Sequence, residues 1–169
     1  TVTSVKPAVF KMIGNGTKSY GANLLIAGAV DLTWSGAGTY TMSNKVSTTT
    51  GKLTVAAGTF RLLPEGSWTS VSGIVVTEQG TLAVENAAAF DAGKTEISVS
   101  GSGQLRIADG LTVPVAKLVV NGQRQRSGRT FGGPRSSAEV KLDIFGSGAG
   151  LLKTQPGDVP DDEIVLSSG

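Results

Sequence analysis

The chain contains no cysteine and no histidine. A disulfide framework, a His/Cys zinc site, a cysteine nucleophile and a His-dependent triad are therefore excluded within its 169 residues. Aromatic residues make up only 5% and charged residues only 17% of the sequence, which suits short strands joined by turns and suits neither a helical bundle nor a disordered tail. No apolar run is long enough to cross a membrane as a helix, so membrane insertion is not expected. No signal-peptide pattern opens the sequence, and the leader of an exported parent protein would lie outside these residues. The formal charge is +2 with no basic run, which gives no reason to expect a nucleic-acid partner. The one local cluster, Arg124, Arg126 and Arg129, reads as a solvated loop.

What is present in quantity is glycine, and it recurs in a phrase. Gly38-Thr39-Tyr40-Thr41-Met42, Gly58-Thr59-Phe60-Arg61-Leu62, Gly80-Thr81-Leu82-Ala83-Val84 and Gly103-Gln104-Leu105-Arg106-Ile107 have leading glycines 20, 22 and 23 residues apart. A second phrase precedes each by about eight residues: Leu32-Thr33-Trp34, Leu53-Thr54-Val55, Ile74-Val75-Val76 and Ile97-Ser98-Val99, with Leu118-Val119-Val120 once more beyond. A period near 20 marks a solenoid, whose units cannot bury an apolar face alone and must stack.

Within each phrase the alternation has period 2, so each segment is a strand with one face inward. Stacking the phrases predicts four inward columns. They are Tyr40/Phe60/Leu82/Leu105, Met42/Leu62/Val84/Ile107, Leu32/Leu53/Ile74/Ile97/Leu118 and Trp34/Val55/Val76/Val99/Val120. The recurring glycine sits where the chain turns between two sheets, and positive φ or close backbone approach is expected there. Three short strands per rung would fill the period. The expected fold is all-β, a right-handed parallel β-helix of about four to five rungs. The segment Glu85 to Phe90 is either a short helix or a turn.

Residues 1–153 are read as one β-helix domain and as a monomer. Its first 22 residues form a lead-in segment or N-terminal cap. Residues 123–153 interrupt the phrasing with a polar Gly/Pro excursion and then resume alternation, as expected of a β-rich C-terminal cap. A cap is required because an open solenoid end exposes core and unpaired backbone. Residues 154–169 read as a tail or linker.

Two stretches carry a resemblance. Gly36 to Thr41 together with Thr48 to Leu62 resembles the autotransporter-associated β-strand repeat. Val115 to Gly122, Phe131-Gly132 and Gly146 to Leu152 are similar to the C-terminal ends of large secreted bacterial proteins. The resemblance spans about residues 30–152. It implies a secreted or cell-surface bacterial protein. Such segments occur in autotransporter passengers, in adhesin stalks and behind the catalytic domains of secreted polysaccharide-degrading enzymes. A small group of carbohydrate-binding modules is also built as parallel β-helices.

Glycoside hydrolysis on this fold needs clustered carboxylates, and lyase chemistry needs calcium-binding carboxylates with an Arg or Lys base. The outward rows beside the columns hold Thr39/Thr59/Thr81/Gln104 and Thr41/Arg61/Ala83/Arg106, with no carboxylate. Glu85 falls two residues further on, and Asp91, Glu96 and Asp109 are scattered near turns. No catalysis is expected. No cofactor is expected either, and calcium on the turn aspartates stays open.

Sugar recognition needs aromatic faces and polar donors. Trp68, in a Gly/Ser turn, is a candidate contact or a lid folded back on its rung. Trp34 aligns with core valines and is either a core plug or a contact. Tyr20 stands open in the same way, while Tyr40 belongs to the core. Lys52 and Thr54, Thr59 and Arg61, and Gln104 and Arg106 are read as one flat polar strip along the solenoid. The candidate ligand-binding residues are thus Trp68, Arg61, Gln104, Arg106, Lys52, Tyr20 and Trp34. The leading expectation is a non-catalytic carbohydrate-binding module for an extended xylan-like or acidic glycan, tethered to a glycan-degrading enzyme. A structural or adhesive stalk is the alternative, and a small β-helix lyase or hydrolase a lesser one.

Overall fold

The computed structural model describes residues 2–20, 26–42 and 48–157, the description of 2–10, 12 and 18–20 being of the backbone. The described chain is all-β, with parallel sheets stacked as a β-solenoid of about four turns. One sheet runs β1 (Val2–Met12), β3 (Ile26–Trp34), β6 (Lys52–Val55), β8 (Gly73–Val76), β10 (Glu96–Val99), β13 (Lys117–Val120) and β14 (Gln123–Arg124), with β5 (Thr48–Thr49) paired to β3. The second runs β2 (Lys18–Tyr20), β4 (Thr39–Met42), β7 (Thr59–Leu62), β9 (Thr81–Val84) and β11 (Gln104–Ile107). The third holds β12 (Thr112–Val115), β17 (Leu151–Thr154), β15 (Thr130–Gly132) and β16 (Val140–Lys141).

The four columns read from the sequence are the observed register. Tyr40 pairs with Phe60, Phe60 with Leu82 and Leu82 with Leu105, all buried. Leu32, Leu53, Ile74, Ile97 and Leu118 align in the first sheet in the same way. The alternation explains this directly: in β7 Phe60 and Leu62 are buried while Arg61 is exposed. Each fully buried aliphatic or aromatic side chain contributes about 1.5–3 kcal/mol. The glycine that opens each phrase is required by close approach. A Cβ at Gly80 would collide with the Val55 carbonyl oxygen of the preceding rung. Gly58 adds a positive φ of 58°.

The expectation of three strands per rung is corrected. Between β7 and β8, and between β9 and β10, the third side is closed by turns. Pro64, Gly66, Asn86 and Gly93 there favour turns over a ladder. These turns still fill the core, since Val71, Ala89 and Phe90 are buried. Glu85 to Phe90 forms no helix, and the described chain has a single 3-10 turn at Asp143–Phe145.

The parallel stacking of the first sheet stops at β14, which turns back antiparallel on β13 through Asn121 and Gly122. Both turn residues have positive φ, 49° and 79°, as a two-residue hairpin turn demands. β15 pairs antiparallel with β17, and Phe131, Phe145 and Leu152 join the core. Thr154, assigned to the tail by sequence, is instead the last residue of β17 and is buried, with its hydroxyl donating to Arg126 O at 2.9 Å. Residues 158–169 lie outside the described residues.

Candidate functional site

Arg61, Gln104 and Arg106 stand on the outer face of the second sheet. Arg61 aligns with Ala83 and Ala83 with Arg106, so the two guanidinium-bearing positions flank a small side chain. In the next row Thr59, Thr81 and Gln104 align. Arg106 Nη2 donates to Gln104 Oε1 at 3.3 Å. Arg61 Nε donates to Glu85 Oε1 at 2.5 Å, so a carboxylate absent from both rows still reaches the strip from the strand's end.

Lys52 does not share this strip. It lies on β6 of the first sheet, and the corner at Ala56 to Gly58 separates it from Arg61. The period-2 reading places Lys52, Thr54 and Arg61 all outward, but the bend sends them to different faces.

Both tryptophans are core residues. Trp68 is 1% exposed and Trp34 2%. They end a stack of rings: Trp34 to Tyr40 at 5.2 Å, Tyr40 to Phe60 at 5.3 Å, and Phe60 edge-on to Trp68 at 5.6 Å. The Trp68 backbone amide donates to Ala89 O at 2.6 Å, tying its turn to the next rung. The third side lacks a strand at this height, and the indole fills the space a strand's side chains would occupy. Trp68 is thus corrected from a candidate contact to core, because a buried ring offers no face to a ligand. Trp34 takes the core side of its alternatives. Tyr20 lies in β2 by its backbone, and its side chain is outside the described residues. Among the described side chains every aromatic ring is buried, so no aromatic platform for sugar stacking stands on these faces.

The carboxylates near turns have local partners. Asp91 Oδ1 accepts from Gly93 N at 2.8 Å, and Asp109 Oδ1 from Ala149 N at 2.7 Å. Asp31 Oδ1 accepts from the Lys52 amide at 2.7 Å. Glu139 accepts from Thr130 N at 2.9 Å and from Arg129 Nη1 at 3.4 Å, and the backbone donor chiefly holds its carboxyl below the usual value of 4.5. Among the described residues no three His, Cys, Asp or Glu side chains converge as a metal site. No helix among them is long and apolar enough to cross a membrane.

A second feature escaped the sequence reading. The outer face of the first sheet carries a groove of about 300 Å³ lined by Lys52, Gly73, Lys94, Glu96, Ser98 and Lys117, among others. Lys52 aligns with Gly73, and Glu96 with Lys117, along one outward row. The missing side chain at Gly73 opens the depression. The signal available was a glycine at a strand position where neighbouring rungs carry charged residues.

No family model, curated protein or solved structure matches this chain.

Proposed function

We propose that this chain is a non-catalytic module that binds an extended polysaccharide along an outer face of the solenoid and carries an attached enzyme to that glycan. The observation that carries the reading is the alignment of Arg61, Gln104 and Arg106 on one face of the second sheet. Parallel strands repeat at about 4.8 Å, so their outward side chains form a regular array along the solenoid axis. Guanidinium and amide groups in such an array suit hydroxyls and uronate carboxylates. With both tryptophans buried, recognition rests on polar groups, which favours an acidic glycan over a neutral xylan-like one. The strip is preformed, so little order is lost on binding, but its contacts are wet. The affinity expected is about 10–1000 μM.

Affinity electrophoresis against neutral and acidic polysaccharides tests this. Wild-type chain should be retained by at least one glycan, and Arg106→Ala should reduce retention while leaving the melting temperature nearly unchanged. Retention by none of a broad panel ends the reading.

The structural-stalk reading has one observation in its favour. β1 and β2 end their sheets with one edge unpaired among the described residues, and further rungs could stack there. Loss of all glycan retention together with axial self-association in light scattering would favour it.

A further inference from the structure

Lys52 pairs with Gly73 and Glu96 with Lys117 on the outer face of the first sheet. Extending the Leu32–Leu53 and Ile74–Ile97 registers by one residue sets Asp31 beside Lys52 and Gly73 beside Glu96, a row Asp31, Lys52, Gly73, Glu96, Lys117 from β3 to β13. Four of the five positions carry charge. Gly73 is the exception, and its backbone does not demand glycine. It has no positive φ, and a Cβ built there would meet only Glu96 O at 3.7 Å, an ordinary contact. Gly58 and Gly80, which open their phrases, differ, because there a Cβ would strike backbone. Gly73 therefore contributes a gap, and that gap is the floor of the groove.

Three amines border the groove. Lys52 and Lys117 come from strands three places apart, roughly 14 Å at the usual strand spacing. Lys94 enters from the turn that Asp91 braces, with its Nζ donating to Ser70 O at 3.3 Å. Against them stands one carboxylate in the lining, Glu96. Asp31, at the end of the row, is turned to the Lys52 backbone amide. The ion pairs among the described residues are Arg61–Glu85 and Arg129–Glu139, and neither involves a lysine.

We infer that this groove is an anion subsite for a short run of carboxylate-bearing sugars. The inference rests on the polysaccharide-binding reading above and makes the ligand a uronate chain. A span of roughly 14 Å fits a few sugar units better than one isolated anion. Amines spread over that span match one carboxylate per unit, and Glu96 and Ser98 supply partners for hydroxyls. Glu96 also disfavours densely charged chains such as sulfated glycans or nucleic acid, whose closely spaced charges would crowd it.

The test uses the whole chain with oligogalacturonate as probe, and with neutral xylo-oligosaccharide, a heparin fragment and single-stranded DNA as comparisons. Calorimetry at low ionic strength should show oligogalacturonate binding that weakens with added salt. Lys52→Gln combined with Lys117→Gln should weaken it about tenfold or more, equivalent to about 1.4 kcal/mol. Gly73→Leu should do the same by filling the floor. Gly73→Val should both weaken binding and raise the melting temperature, because a β-branched residue suits a strand better than glycine. No binding of oligogalacturonate by the wild type, or equal binding by the groove variants, overturns the inference. Tighter binding of heparin or DNA than of the uronate overturns the assigned ligand. If neutral glycan is retained through Arg106 while the groove variants change nothing, the groove fails and the polysaccharide reading stands. If no glycan of any kind is retained, both fail.

Discussion

Arg61 on β7 and Glu85 just beyond β9 form an ion pair at 2.5 Å across two neighbouring rungs, with side chains 45% and 27% exposed. The pair sets how available the guanidinium is to a ligand. An exposed pair of this kind contributes at most about 1 kcal/mol to folding. Glu85→Gln should therefore barely move the melting temperature. It should free Arg61 and increase retention on an acidic glycan, whereas Arg61→Ala should decrease it. Affinity gels run in parallel with thermal melts check this. Weaker retention of Glu85→Gln would mean that the carboxylate itself contacts the ligand.

Trp68 belongs to stability rather than to recognition. Removing a buried indole costs about 3–5 kcal/mol, so Trp68→Ala should lower stability by that order in urea titration. Trp68→Phe should cost less, because a ring remains and the indole N–H, which has no hydrogen-bond partner among the described residues, is removed. Glycan affinity of the folded Trp68→Phe chain should equal that of the wild type. A selective loss of binding at unchanged stability would place the ring on the surface.

Glu78 adopts a φ of 51° at the corner after β8, a left-handed conformation that suits glycine. Gly101 stands at the corresponding corner one rung on, with φ of 61°. Glu78 is exposed, and its side chain makes no hydrogen bond or ion pair among the described residues. Relief of the backbone cost outweighs the added chain entropy of glycine by a small margin, so Glu78→Gly should stabilise by roughly 0.5–1 kcal/mol. Gly101→Ala should destabilise by a similar amount. A lower melting temperature for Glu78→Gly contradicts this account.

Glu139 links pH to the C-terminal strands. Its carboxyl titrates below its ordinary value because the Thr130 amide and Arg129 favour the charged form. The folded state therefore binds this proton less readily than the unfolded chain. The resulting stabilisation is complete above the unfolded value of 4.5 and is lost as pH falls through the lower folded value. Glu139→Gln should flatten the acid side of a plot of melting temperature against pH and leave the slope near neutrality unchanged. An identical acid limb in the variant would remove Glu139 from the linkage.

The sequence by itself determined the columns. Period-2 alternation repeated every 20–23 residues leaves one way to bury Phe60, Leu82 and Leu105 together, and the observed pairings follow it. The corner glycines were legible for the same reason, since each turn must let successive backbones touch. The hairpin at Asn121 and Gly122 was also written in a local signal, since Asn-Gly between two runs is a hairpin-turn dipeptide. Tertiary structure alone decided what lies between the columns. Alternation says that Lys52 and Arg61 point outward, but the bend between β6 and β7 decides that they face different directions. Turn residues have no alternation at all, so nothing local orients Trp68. Its burial follows from a gap in the third side that only stacked rungs create. The groove likewise arises from the register, because a glycine becomes a floor only when Lys52, Glu96 and Lys117 are brought around it by strands far apart in sequence.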